Sequence, residues 1–318
     1  MTILVTGAAG FIGSNLTETL LRRGEQVVAV DNFNDYYDPA RKRANILSFQ
    51  SHHNLSLYEN DIGDADAMER IFAQYQPRAV AHLGAYGGVR YSIGRAKLYT
   101  EVNLVATVNL LEAARQNGTE IFVFASTSSV YGNTTQLPFI ETDPCNLPLA
   151  PYPASKKAAE VMGYTYFNLH RLNFTALRFF SVYGPRGRPD MMPFMVTDRI
   201  VKGQEIKLFD AGQLKRDWTY VDDIVSGIIA ALERPLGYEV INLGCGSPIA
   251  LRDFIEVIEE YSGRSIRTHS VPTPPSDPPI TFCNNEKARR LLGFAPSIPV
   301  RDGLHHTWAW FRQHFGVG

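Results

Sequence analysis

The chain has 318 residues, 45% of them hydrophobic, which fills one large core or two smaller ones sharing a boundary and excludes a disordered polypeptide. Its 31 basic and 32 acidic residues leave a formal charge of −1, which argues against nucleic acid and against a membrane surface as partners, so any anionic partner is met locally. Cys145, Cys245 and Cys283 are too few and too scattered for a disulfide framework or a metal site, and the opening "MTILVTGAAG" reaches glycine too early for a signal or a membrane span, so no metal and a cytoplasmic location are expected.

Residues 3–6 read as a short strand and 11–23 as the amphipathic helix behind it. Between them Gly7, Gly10 and Gly13 form G-x-x-G-x-x-G. Glycine there lets the backbone turn tightly, approach a pyrophosphate and present helix N-terminal amides to its charge. Strand 26–31 ends in Asp31, 18 residues past Gly13, where a carboxylate accepts hydrogen bonds from an adenosine ribose and repels a 2′-phosphate. NAD is therefore the expected cofactor, with Arg41 and Arg43 leaving NADP as the alternative. Strand 55–58 precedes Asp61 and Ile62, placed to hold the adenine, and helix 65–75 follows. Strand 79–83 leads into Leu83, Gly84 and Ala85 on the phosphate and ribose path, then come helix 98–117 and strand 120–125. This alternation predicts an α/β fold with a doubly wound parallel sheet covered on both faces. Residues 1–180 are expected to form the nucleotide-binding domain, with a return around 221–245 where "EVINLG" supplies another core strand. Residues 181–318, looser and rich in proline, are expected to make most of a smaller α/β substrate-side domain.

Two further stretches carry chemistry. Four hydroxyl side chains, Ser126, Thr127, Ser128 and Ser129, follow the apolar run 121–125 with no acid among them. "YPASK" sets Tyr152 and Lys156 four apart, on one face of a helix. A phenol with an ordinary pKa of about 10 needs help to act as a base near neutrality, and an adjacent ammonium favours its phenolate.

The glycine-rich "TGAAGFIG", with "HLGA", "STSSVYG", "YPASK" and "RDWTYVDD" in this order, resembles the extended short-chain dehydrogenase/reductase family over essentially the whole chain. That resemblance implies a Rossmann fold, a retained and recycled NAD, and a catalytic set of Thr127, Tyr152 and Lys156. The cofactor residues it implies, together with those read above, are Gly7, Gly10, Phe11, Ile12, Gly13, Asp31, Asn32, Asp61, Ile62, Leu83, Gly84, Ala85, Asn103, Ser126, Tyr152 and Lys156.

Within the family the chain is most similar to the NAD-dependent nucleotide-sugar 4-epimerases that act on UDP-glucuronate. All these enzymes begin alike, removing the sugar O4 proton while C4 gives up hydride, to leave a 4-keto sugar. Family dehydratases typically carry Asp-Glu where Ser128 and Ser129 stand here, and the related decarboxylases commonly have Glu at the position of Ser129. Alcohols without an acid suit a reaction that stops at oxidation and returns hydride to the other face, which is 4-epimerisation. The expected conversion is UDP-glucuronate to UDP-galacturonate, with a UDP-glucose/galactose 4-epimerase, a UDP-glucuronate decarboxylase and a nucleotide-sensing binding protein as alternatives. Ser181 stands where galactose-type epimerases usually have Asn, and Ser128, Ser181 and Arg188 could hold a C6 carboxylate. Arg216 and Asp277 resemble the family's pyrophosphate- and ribose-binding residues, and Arg90 is a further cation, so the expected substrate set is Arg90, Thr127, Ser128, Ser129, Ser181, Arg188, Arg216 and Asp277. The chain departs from the family pattern at "HLGAYGGVR", where "HLAAQAGVR" is expected, and at "PPSDPP", which lacks a Gly before Asp277. Helices at 98–115 and 154–170 are apolar on more than one face, which predicts a homodimer paired through both.

Overall fold

The computed structural model describes residues 1–274 and 277–317. Seven parallel strands form the central sheet: β1 (Thr2–Thr6), β2 (Gln26–Val30), β3 (Leu55–Tyr58), β4 (Ala79–His82), β5 (Ile121–Thr127), β6 (Asn173–Phe179) and β11 (Tyr238–Leu243). Their order is β11-β6-β5-β4-β1-β2-β3. Every residue of β4 and β5 is buried, as parallel strands covered on both faces require. The strand 239–244 expected to return does so as β11, paired with β6 at the sheet edge.

Alternation along each strand sorts two cores. In β5, Ile121, Val123 and Ala125 pack on one face with Leu16 and Leu20 of α1 (Phe11–Arg22), Ile46 of α2 (Pro39–Ile46) and Ile224 and Ile228 of α9 (Val221–Leu232). Phe122 and Phe124 pack on the other with α3 (Ala65–Tyr75), α6 (Ala106–Gln116) and α7 (Pro151–His170). The first of these cores continues through Phe254 and Leu304, so the sheet and the C-terminal elements share packing.

Those elements are three small sheets and four helices. β7 (Ser181–Tyr183) pairs with β10 (Trp218–Tyr220), β8 (Ile206–Phe209) with β13 (Thr268–Val271), and β9 (Lys215–Arg216) lies between β12 (Ile249–Ala250) and β14 (Ile280–Thr281). The helices are α8 (Met192–Lys202), α10 (Leu251–Ser262), α11 (Glu286–Leu292) and α12 (Val300–Phe315).

Two local expectations change. The helix expected at 98–117 is not uniform: after α4 (Val89–Ser92), α5 (Ala96–Thr100) passes through a π-helical turn, Glu101–Val105, before α6. That wider turn carries Asn103, whose side chain hydrogen-bonds both the N–H and the C=O of Tyr86. Strand β5 also runs past residue 125 to Thr127, because Ser126 and Thr127 still pair in register with Arg178 and Phe179 of β6. No helix among the described residues is long and apolar enough to cross a membrane.

Candidate active site

The strand order reverses between β1 and β4, and a cleft of about 700 Å³ opens at the carboxyl ends there, where ligands of open α/β sheets bind. Its floor is the glycine turn. Gly7 has φ +65°, and a Cβ on it would lie 2.8 Å from the Gly84 amide nitrogen, so β1 and β4 approach closely only because both positions are glycine. A Cβ on Gly13 would run into the Gly7 carbonyl, so helix α1 can start against the turn only with glycine there. α1 has no side-chain cap and no acid in its first turn, which leaves its N-terminal amides available to an anion. Gly7, Gly10, Phe11, Ile12, Gly13, Asp31, Asn32, Ile62, Leu83, Gly84 and Ala85 all line the cleft. This wall fits a dinucleotide: close backbone for the pyrophosphate, a carboxylate for the ribose and an apolar slot beyond it.

Around Asp31 the structure revises the charges. The carboxylate accepts from the amides of Ala9 (3.0 Å) and Phe33 (2.8 Å) and faces the Lys42 ammonium at 3.7 Å. Arg41 instead stacks its guanidinium 4.5 Å from the Phe194 ring centroid, and Arg43 pairs with Glu59 at 2.8 Å. The two arginines that kept NADP open are therefore engaged elsewhere, and Lys42, whose pKa burial lowers despite Asp31, is the cation beside Asp31 on the cleft wall. The signal for Lys42 was its place three residues into a helix capped by Asp38, which points it back toward the strand ends.

Three expected cofactor or substrate residues are not part of the cleft wall. Asn103 is fully buried and its amide is spent on Tyr86 and on the Ser155 hydroxyl (3.1 Å), tying the loop after β4 to helix α7. Asp61 accepts from Asn32 (2.7 Å) and from the Gly63 amide (2.7 Å), so it orients Asn32. Arg216 stands behind Asp277, at 3.7 Å. A fourth, Ser126, reaches the wall but donates its hydroxyl to buried Glu160 at 2.6 Å, because alternate strand residues face opposite sides and Thr127 takes the cleft side.

Tyr152, Lys156 and Thr127 meet in this cleft. Burial raises the Tyr152 pKa, while the hydrogen bond with the Thr127 hydroxyl and the Arg188 guanidinium pull it back. Burial also pushes the Lys156 ammonium down to about 7; it lies 4.6 Å from the Phe124 ring centroid, at the end of the sheet. Arg188 is a second cation acting on Tyr152, beside the Lys156 that the four-residue spacing places on the same helix face. Tyr152 is further fixed by an edge-to-face contact with buried Tyr99, 6.1 Å between centroids.

Beyond Tyr152 the wall is Ser128, Ser129, Ser181, Arg188 and Asp190. Ser128 and Ser129 begin a 3-10 turn, Ser128–Tyr131, capped by Thr127, whose hydroxyl accepts from the Ser129 amide at 3.1 Å. Asp190 is an acid that the hydroxyl row did not disclose. It is locked to Arg188 in a two-point ion pair (3.0 and 2.6 Å) with Tyr36 at 3.1 Å, and these contacts hold its carboxyl below the usual range, so it stays ionised and is no proton donor near neutrality. Only its position two residues after Arg188 hinted at it.

At the far end Arg90 donates to Asp277 at 2.6 Å and Arg216 faces the other carboxylate oxygen, so three residues from distant parts of the chain converge there. The Pro275 and Ser276 of "PPSDPP" lie outside the described residues.

Residues 3–244 match the NAD dependent epimerase/dehydratase family. The chain is 41% identical over 312 residues to a UDP-glucuronate 4-epimerase of Thermodesulfobacterium geofontis, covering 98% of this chain and 96% of that one. Among solved structures it is similar to UDP-glucuronic acid 4-epimerase from Bacillus cereus in complex with UDP-glucuronic acid and NAD, with TM-score 0.91, 34% identity, and 99% and 100% of the two chains covered. It is also similar to UDP-glucose 4-epimerase from Thermotoga maritima with UDP-glucose, with TM-score 0.90, 31% identity, and 99% and 100% covered. With a family match over three-quarters of its length, the chain belongs to the NAD dependent epimerase/dehydratase family.

Proposed function

We propose that the protein is an NAD-dependent 4-epimerase that interconverts UDP-glucuronate and UDP-galacturonate through a transient 4-keto sugar. The observation that carries the reading is a single cleft in which Tyr152 and Thr127 adjoin the glycine turn while the sugar-side wall offers Ser128, Ser129, Ser181 and Arg188 and, among the described residues, no free acid. Relatives bearing the name UDP-glucuronate 4-epimerase support the choice of substrate.

Bound NAD supplies reversible hydride acceptance at the sugar C4. Tyr152 takes the O4 proton, with Thr127 relaying or orienting it, and gives the proton back when C4 is reduced from the other face. Arg188 holds down the phenol pKa, and Lys156 secures the cofactor side of the same pocket. At the nucleotide end, Arg90 answers the pyrophosphate charge and Asp277 the uridine ribose, with Arg216 holding Asp277 from behind and the ion pairs keeping these groups in place beforehand. The sugar carboxylate is met by Arg188 with Ser128 and Ser181. The intermediate is a β-keto acid, prone to lose carbon dioxide when its C5–carboxyl bond aligns with the ketone π system, and hydroxyl donors that hold that bond out of alignment suppress the loss.

Residues 1–180 with 221–245 serve in this reading as the cofactor domain and 181–318 mainly as the sugar-nucleotide domain. Exposed Val105, Val161, Tyr164 and Leu169, on the helix ending in α6 and on α7, support a homodimer paired through those helices. A near-neutral charge and free thiols at Cys145, Cys245 and Cys283 suit the cytoplasm. Likeness to the Thermotoga maritima UDP-glucose enzyme keeps a neutral hexose as the second reading. Purified protein supplied separately with UDP-glucuronate and UDP-glucose, with products identified by NMR at C4, tests both. UDP-galacturonate from the first and little from the second is the expected result; UDP-galactose alone, or UDP-xylose, would overturn it.

A further inference from the structure

One turn beyond Lys156, helix α7 carries Glu160, which is 0% exposed and joined to Arg178, 1% exposed, through two hydrogen bonds of 2.9 and 2.8 Å. The Ser126 hydroxyl donates to the same carboxylate at 2.6 Å, and the Tyr238 hydroxyl donates to the Glu160 carbonyl at 3.1 Å. A buried ion pair is rarely more stabilising than apolar side chains of the same volume, because both charges lose their water. Cohesion alone is therefore a poor reason for two charges and a hydroxyl at the centre of this molecule.

Their placement supplies a better one. Tyr152, Lys156 and Glu160 follow at four-residue intervals and form one stripe of α7. Ser126 directly precedes Thr127, and Ser126, Arg178 and Asn242 are register partners across β5, β6 and β11. The Arg178 guanidinium lies 4.8 Å from the ring centroid of Tyr131, on the turn that carries Ser128 and Ser129, and the Tyr131 hydroxyl donates to Asn242 at 2.7 Å. The strand that presents Thr127 and the turn that presents Ser128 and Ser129 thus both touch this pair.

We propose that Glu160, Arg178 and Ser126 are positioning residues, a buried brace that sets where the Tyr152–Lys156 stripe stands relative to Thr127 and the Ser128–Ser129 turn. The proposal rests on the reading of Tyr152 and Thr127 as reacting groups. A helix held only by apolar contacts can slide by fractions of an ångström at small cost, whereas a two-point ion pair with a third donor on the strand has one arrangement. Displacement approaching about 1 Å at reacting atoms costs up to about a hundredfold in rate.

The test compares wild type with the triple variant Ser126→Ala, Glu160→Met, Arg178→Met and with Ser126→Ala alone, reading thermal unfolding, kcat, KM and the pH profile of kcat. The triple variant should unfold at or above the wild-type temperature, with kcat down about a hundredfold, KM within about threefold, and the rising limb of the profile moved to higher pH as Tyr152 and Thr127 part. Wild-type kcat and pH profile in a folded triple variant overturn the proposal. Should the triple variant not fold, Ser126→Ala decides: a severalfold loss of kcat with the same alkaline displacement supports the brace, and an unchanged profile overturns it. Wild-type protein inert toward both UDP-glucuronate and UDP-glucose would overturn the reading of the site itself, a result distinct from active wild type with unaffected variants.

Discussion

The end of Arg188 fills the space that a side chain at residue 87 would need: a Cβ on Gly87 would lie 2.5 Å from Arg188 Nη1. The carbonyl of the same glycine takes hydrogen bonds from Tyr36 (3.0 Å) and Tyr99, and Tyr36 also reaches Asp190, which pairs with Arg188. The "YGGVR" departure from the family pattern therefore has a physical content. Its glycine makes room for Arg188 on the cleft wall.

Gly87→Ala should shift Arg188 without unfolding the chain, since the clash is with the far end of a long side chain and not with backbone. Loss of one charge-assisted contact to the sugar carboxylate should raise KM for UDP-glucuronate about tenfold, with a smaller change for UDP-glucose. Steady-state kinetics with both substrates checks this; equal effects on the two would remove Arg188 from the carboxylate site.

Tyr152→Phe should lower kcat by about a thousandfold, the usual range for a lost general acid–base. Thr127→Val is expected to act more mildly, by about tenfold. It should also move the rising limb of the kcat–pH profile upward, because the Thr127 hydrogen bond is one of the two influences that lower the Tyr152 pKa. A Thr127→Val enzyme with unaltered pH dependence would contradict the arrangement.

Buried His82 joins the cofactor turn to the π-helical turn. Thr107 donates to the Asn103 carbonyl at 2.8 Å, so it accepts from His82 Nε2 at 2.9 Å; Thr6 accepts from the Gly84 amide at 3.0 Å and donates to Nδ1 at 2.7 Å. Burial, with Lys156 nearby, holds its pKa well below the ordinary imidazole value. Below about pH 6.5 the unfolded chain binds a proton that the folded chain does not, so the His82 contribution is complete above that pH and falls by about 1.4 kcal/mol per unit as the pH drops. Urea midpoints at pH 7.5 and 5.0 should show wild type losing about 2 kcal/mol more than His82→Gln. Parallel losses would mean that His82 is protonated in the folded state.

Ser128→Ala and Ser181→Ala should change what leaves the site more than how fast it reacts. If their hydroxyls keep the C5–carboxyl bond out of line with the ketone, each variant should release carbon dioxide and a UDP-4-keto-pentose, detectable by mass spectrometry. Unchanged product partition in both would locate that restraint elsewhere.

Features within one turn or one strand end were legible in the linear chain. The glycine spacing at 7, 10 and 13, Asp31 at a strand end and the four-residue step from Tyr152 to Lys156 are set by covalent distance and helical period, and each lines the cleft. What only the tertiary structure decided are side-chain directions and meetings across long separations. Arg90 and Asp277 are 187 residues apart. Ser126 and Asn103 turn to buried partners, Lys42 rather than Arg41 or Arg43 faces Asp31, and Asp190 joins Arg188 in the wall beside the serines. The physical reason is that a polar side chain takes the best partner within reach, and that reach is drawn by strand order and helix packing, which local spacing does not encode.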